Sequence, residues 1–264
     1  MEKSENYYSL ITGASSGIGR ALSEELARRG RNLLLIALPD SALEIRCQNL
    51  SLKYNISCRY LEIDLTEWDA PAKILAYALA ENLRINILVN NVGVGHNGKI
   101  GDFPVDEIKE MIMLNIYAAT NLTNLFLHDL KQCPESYILN IGSLGGFTPA
   151  PFKSIYSATK AYILFFSYGL SAELERSSVR VCAAMPGAVP SNRKMIERIS
   201  GSGKIGRLMA LSPDEVAKYI IPRLFHGQKV IIPGMITRAV YLLGFVLPHG
   251  FVLYLMKSLF IDKK

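Results

Sequence analysis

Short runs rich in β-branched and aromatic residues alternate along this chain with longer stretches whose apolar residues recur three and four apart. That alternation restricts it to repeated βαβ units around a parallel sheet. The short runs lie near Tyr8 to Thr12, Leu33 to Ala37, Ser57 to Glu62, Ile87 to Asn90, Tyr137 to Ile141, Arg180 to Ala184 and Lys229 to Ile232, which predicts about seven strands. Arg20 to Arg29 and Ala161 to Leu174 carry the helical period of elements that pack on a sheet. Ser212-Pro213-Asp214-Glu215 supplies a capping serine, a proline for the first helical position and a glutamate three residues on, so a helix starts there and Pro190 to Leu211 becomes a long connection. The expected architecture is a single Rossmann-type α/β domain, a doubly wound parallel sheet with helices on both faces, over residues 1–235, followed by an apolar tail over 236–264. With 264 residues, 50% of them hydrophobic, the chain can bury the core that such a domain needs.

Charge and ligand residues narrow the function. The net charge of +6 comes from dispersed Lys and Arg with no aromatic-interleaved basic stripe, so nucleic acid is not an expected partner. Cys47, Cys58, Cys133 and Cys182 fit neither a disulfide framework nor a zinc spacing, and His96, His128, His226 and His249 are equally scattered. No metal is expected, and a reducing compartment fits best. The opening MEKSENYYSL runs from charged residues straight into a strand, without a signal-peptide pattern, so the expectation is a cytoplasmic chain.

The first strand runs into Thr12-Gly13-Ala14-Ser15-Ser16-Gly17-Ile18-Gly19-Arg20, a glycine-rich turn that opens a helix at about Gly17. Backbone N–H groups at a helix N-terminus attract an anion, and glycines let the main chain approach a pyrophosphate. The spacing is G-x-x-x-G-x-G rather than the general G-x-G-x-x-G fingerprint.

That turn resembles the cofactor signature of the short-chain dehydrogenase/reductase family, and further motifs follow in the family's order. Asp64-Leu65 resembles the pair after the third strand, and Asn90-Asn91-Val92-Gly93 the Asn-Asn-Ala-Gly after the fourth, with Val92 a mild departure. Then come Asn115 in a helix, Ser143 after the fifth strand, Tyr156-Ser157-Ala158-Thr159-Lys160, and Pro186-Gly187 after the sixth. The match covers roughly Tyr7 to Pro233 and leans toward the branch that reduces long-chain 3-oxoacyl groups or hydroxysteroid-like ketones.

The resemblance implies NAD or NADP as cofactor, held by Gly13, Ser15, Ser16, Gly17, Ile18, Gly19, Asp64, Leu65, Asn91, Pro186, Gly187, Val189 and Ser191 together with Tyr156 and Lys160. Asp64 is placed by it at the adenine and Ser191 at the nicotinamide carboxamide. It assigns catalysis to Asn115, Ser143, Tyr156 and Lys160. Tyr156 is the proton-transfer group, Lys160 also holds the nicotinamide ribose, Ser143 hydrogen-bonds the substrate oxygen and Asn115 keeps a water in a proton relay. Tyr156 and Lys160 stand four apart on a helix, which puts a cation beside a phenol. Work near neutral pH asks for a phenol roughly 2 to 3 units below about 10, a shift that Lys160 and the nicotinium charge are positioned to supply.

The choice between NAD and NADP is left open. Ala37 and Leu38 end the second strand where the family carries its selecting Asp or Arg, and Asp40 is available either to the ribose or to its own turn. Residues 190–211 read as an apolar substrate lid or as a surface helix and loop. In the tail, Pro248-His249-Gly250 splits the apolar run so that neither half reaches the ~20 residues of a membrane span. It is expected to cover the cleft, to meet another subunit of a homo-oligomeric dimer or tetramer, or to touch a membrane peripherally. The expected partner is a small carbonyl or alcohol. The rival readings are a catalytically silent cofactor-binding scaffold or redox sensor, and a membrane-tethered lipid-binding module.

Overall fold

A computed structural model describes residues 7–39, 42–190, 195–197, 210–246 and 250. Among them are β1 (Tyr7–Thr12), β2 (Asn32–Ala37), β3 (Cys58–Glu62), β4 (Arg84–Asn90), β5 (Ser136–Ile141), β6 (Val179–Ala184) and β7 (Val230–Ile231), all parallel, in the order β3-β2-β1-β4-β5-β6-β7. The helices are α1 (Gly17–Arg28), α2 (Ala42–Tyr54), α3 (Ala70–Ala80), α4 (Val105–Ile112), α5 (Ala118–Gln132), α6 (Ser154–Glu173), α7 (Pro213–Phe225) and α8 (Met235–Val246). The expected doubly wound Rossmann-type architecture is what the chain adopts. β4 starts three residues before its apolar run because Arg84 pairs with Tyr7 ahead of an irregularity at Tyr8/Ser9. β7 shrinks to the two residues that pair with β6.

The strands read as unbroken apolar runs because both faces are covered, and the two-residue strand period sorts their side chains. Ile11, Leu33, Leu35, Val89 and Leu139 pack with Leu22 and Leu26 of α1, Leu43 of α2 and Ile220 of α7 on one face. Leu10, Leu34, Ile36, Leu88 and Ile138 pack on the other with Ile74 of α3, Leu122 and Phe126 of α5 and Leu170 of α6. The capping box forms as expected: Ser212 Oγ accepts from Glu215 N at 3.2 Å, and Ser212 N donates to the Glu215 carboxylate at 2.8 Å.

Winding runs outward from β1 through β2 to β3, then the chain returns to place β4 on the other side of β1. The loops leaving β1 and β4 therefore diverge at their carboxyl ends and open the crevice where such sheets bind ligands. No helix of the described residues is long and apolar enough to cross a membrane. Of the tail, the part through Val246 continues α8. Its first turns are anchored, with Thr237 buried and the Tyr241 ring tilted against Phe147 at 4.3 Å between ring centroids. Pro248 and His249 lie outside the described residues.

Candidate active site

The turn after β1 is clamped by polar side chains rather than by packing. Thr12 Oγ1 donates to Val89 O at 3.3 Å and accepts from Asn91 N and Val92 N at 3.0 and 3.1 Å. Asn91 Nδ2 returns to Thr12 O and Gly13 O at 2.8 and 3.2 Å, so β1 and β4 are stitched together at the crevice. Gly13 takes φ +65°, and a Cβ on Gly19 would stand 2.1 Å from the Gly13 carbonyl oxygen. Gly19 is thus demanded first by the closure of the turn itself, and only through that closure by a pyrophosphate. Ser16 precedes α1 without capping it by its side chain, and the first turn of α1 carries no acidic residue. The positive end of this 12-residue helix is left without a compensating protein charge, and the turn fits a dinucleotide's diphosphate.

Asn115 lies in a π-helical turn, Met113–Tyr117, which interrupts the helical run between α4 and α5 where the sequence reading has a regular helix. Its buried carboxamide donates from Nδ2 to Val94 O, accepts Val94 N at Oδ1 and donates to Thr159 Oγ1, each at 2.9 Å. Thr159 donates on to Tyr156 O at 2.8 Å. Asn115 therefore joins the loop after β4 to the helix that carries Tyr156. A Cβ on Gly93 would lie 2.7 Å from Asn115 Oδ1 and 3.1 Å from Lys160 Nζ, so only glycine lets the main chain run past both groups.

Tyr156 and Lys160 occupy the first turns of α6, and Ser143 hangs from the carboxyl end of β5, where Leu144 N donates to Pro186 O at 2.9 Å and prolongs the pairing with β6. Ser143 Oγ accepts from Gly145 N at 3.2 Å. Lys160 is buried, and its Nζ donates to Ile141 O at 3.0 Å while lying 6.0 Å from the Tyr156 ring centroid. Burial pulls the ammonium down to about 8. The expected downward shift of the phenol is not produced by the protein groups alone: burial pushes Tyr156 above its ordinary value, and the Ser143 hydroxyl only opposes this. The physical reason is that Lys160 is committed to a main-chain carbonyl rather than to the phenol.

The remaining predicted residues divide. Ser15, Ser16, Gly17 and Ile18 form the turn and the start of α1, and Pro186, followed by Gly187, accepts from Leu144 N next to Ser143. Asp64 Oδ1 accepts from both Thr66 N and Thr66 Oγ1 at 2.8 Å and so shapes its own turn. The Leu65 and Val189 side chains are buried in the core. Ala37 is buried and Leu38 exposed at the end of β2. Ser191 and Asp40 lie outside the described residues.

Sequence reasoning missed a buried polar chain behind the site. Asn90 Nδ2 donates to Asn140 Oδ1 at 2.8 Å and to Thr123 Oγ1 at 3.0 Å, and Asn140 Nδ2 donates to Ser167 Oγ at 2.9 Å. It fixes α6 and α5 against β4 and β5. Its signal was present in Asn140, a lone amide inside the apolar run Tyr-Ile-Leu-Asn-Ile.

A family model described as short chain dehydrogenase matches residues 8–199. The chain is 33% identical over 196 residues to the very-long-chain 3-oxoacyl-CoA reductase of Mus musculus, covering 72% of this chain and 62% of that protein. It thus spans less than two thirds of the length of the curated relatives it matches. Among solved structures it resembles a short-chain dehydrogenase from Sphingobium yanoikuyae in complex with NADPH, at 33% identity and TM-score 0.78, covering 90% of this chain and 92% of that one. It also resembles a bulky-bulky ketone specific alcohol dehydrogenase from Comamonas testosteroni, at 29% identity and TM-score 0.76, covering 92% and 95%.

Proposed function

This chain belongs to the short-chain dehydrogenase family, and from that membership we propose that it moves hydride between NAD or NADP and a carbonyl or alcohol carbon. The observation that carries the reading is the meeting of Ser143, Tyr156 and Lys160 at the carboxyl end of β5, across β4 from the uncapped, glycine-lined helix start that follows β1. Hydride is the chemistry that the dinucleotide supplies when bound; the chain positions the reactants and moves the proton. Tyr156 gives its phenolic proton to the substrate oxygen in reduction and takes it back in oxidation. A phenol held above its ordinary value remains a proton donor through neutral pH, which suits it to reduction. Ser143 orients that oxygen, Lys160 holds the ribose hydroxyls and Asn115 anchors the relay.

The substrate of this reading is an apolar ketone, of the 3-oxoacyl, long-chain or steroid-like kind. The names of the relatives support it, as does the aromatic pair Phe147 and Tyr241, which walls the segment just after Ser143. In this reading residues 1–235 are the catalytic domain of a cytoplasmic homo-oligomer, 190–211 serve as substrate loop, and the 236–264 tail serves the substrate cleft, a subunit contact or a peripheral membrane contact. The test is oxidation of NADH and NADPH against ketones graded by chain length, with Tyr156→Phe as control. Turnover that rises with apolar bulk and vanishes in the variant is expected; equal turnover by parent and variant would overturn the mechanism.

A further inference from the structure

The loop between β4 and α4 carries a device that none of the roles above uses. His96 bridges two carboxylates of α4, with Nε2 3.0 Å from Glu110 Oε2 and Nδ1 3.3 Å from Glu107 Oε2. Glu107 and Glu110 are three apart on α4 and so share a helix face, which lets one imidazole engage both. The neighbouring Gly95 lies flat on the proton-transfer residue: a Cβ there would stand 2.9 Å from Tyr156 Cδ2 and 3.0 Å from Cε2. The same loop is tied on either side, by Asn115 at Val94 and by Gly98 N donating to Phe152 O at 2.9 Å. Between those ties the main chain at residues 95–97 makes no other hydrogen bond among the described residues, and the His96 bridge is the contact that spans the gap to α4.

We propose that His96, clasped by Glu107 and Glu110, is a positioning residue that holds Gly95 against Tyr156 and so fixes the orientation of the phenol. It touches neither reacting atom and acts through the main chain of its neighbour. The three side chains are partly exposed, at 31% for His96, 40% for Glu107 and 39% for Glu110, so the bridge orders the loop more than it stabilises the fold. The proposal rests on the reading of Tyr156 as proton-transfer group, and the test separates the two.

His96→Ala and Glu107→Gln/Glu110→Gln are compared with the parent and with His128→Ala, an exposed histidine away from the loop. The first readout needs no turnover: the resonance of Tyr156 in protein labelled at the tyrosine ζ carbon, assigned by its loss in Tyr156→Phe. It is expected to move in both clasp variants and to stay in place in the control. The second is kinetic: kcat on a ketone should fall by about tenfold while the dissociation constant of NADPH, read by its fluorescence, changes by less than about twofold, because displacement of a reacting group by a fraction of an ångström already reaches the rate. A Tyr156 resonance that does not move in the clasp variants overturns the proposal, and so does an unchanged kcat. If the parent turns over no carbonyl with either dinucleotide, the functional reading fails, and the resonance alone decides whether the clasp holds the ring.

Discussion

At the carboxyl ends of β1 and β4 polar side chains hold the main chain: Thr12 Oγ1 and Asn91 Nδ2 bind backbone groups, Gly13 takes φ +65°, and Gly19 sits against the Gly13 carbonyl. At the carboxyl ends of β5 and β6, beyond Ser143, the contacts are made by interchangeable side chains, with Phe147, Leu164, Met185, Ile232 and Tyr241 forming a small satellite core. The first region tolerates few residue types because backbone geometry is at stake. The second asks only for apolar groups of suitable volume. A ligand common to a whole family belongs against the first kind of surface, and a ligand that varies belongs against the second.

Removing the proton should have the largest effect. Tyr156→Phe keeps the ring against Gly95 and is expected to lower kcat by about 10²- to 10⁴-fold, with dinucleotide affinity within about twofold of the parent. Stopped turnover with intact NADPH fluorescence enhancement separates chemistry from binding; weakened binding would mean that the phenol belongs to the cofactor pocket first. Gly19→Val comes next, because a side chain cannot share space with an oxygen 2.1 Å away. The turn must open, and dinucleotide binding should weaken by about 100-fold or more by calorimetry, at a stability cost of about 1–3 kcal/mol. A variant that binds as the parent does would remove the turn from the nucleotide site.

Lys160 sharpens the contrast from the side of stability. Its folded value of about 8 lies below the ordinary 10.5, so between those values the folded chain binds fewer protons than the unfolded one. The penalty for burying the charge is therefore full below about pH 8 and is relieved as pH rises toward 10.5. Across that interval it amounts to about 3 kcal/mol. Lys160→Met also leaves the Ile141 carbonyl without its donor, at about 1 kcal/mol, so the variant should be about 2 kcal/mol more stable than the parent at pH 7 while losing activity. Denaturant melts at pH 7 and pH 10 test this. The gain should shrink at the higher pH, and a gain independent of pH would mean that the amine is not a buried charge.

How much of this was legible follows the same division. Gly13, Gly17 and Gly19 were legible as a glycine turn opening a helix, Asn91, Tyr156 and Lys160 through the resemblance of their motifs to a family's, and the alternation of apolar runs gave the doubly wound class but not the strand order. The π-helical turn at Asn115 was not legible, since Met-Leu-Asn-Ile-Tyr has no breaker and only the bonds to Val94 and Thr159 reveal the interruption. The bond from Lys160 to Ile141 O was not legible, because four-residue spacing sets where Cβ atoms lie, not whether an amine reaches the phenol or a carbonyl. His96 with Glu107 and Glu110 could not be seen either, because partners 11 and 14 residues apart meet only after the loop has folded back on α4.

The smallest effect expected lies on the substrate side. Tyr241 packs its ring on Phe147, and Phe147 follows the short turn that Ser143 opens. Tyr241→Ala removes that support without reaching any atom of the glycine turn. Loss of one aromatic contact is worth about 0.5–1.5 kcal/mol beyond burial, which corresponds to a change of a few-fold to about tenfold in a binding constant. The expected outcome is a KM raised severalfold for long or bulky ketones, a KM nearly unchanged for small ones, and an unchanged dissociation constant for NADPH. Such a pattern ties the first turns of α8 to the substrate and not to the dinucleotide. If KM rises equally for short and long ketones, Tyr241 holds the Ser143 loop rather than the substrate. The boundary between the two regions then moves to Phe147 itself, and Phe147→Ala becomes the substitution in which chain-length preference should be lost.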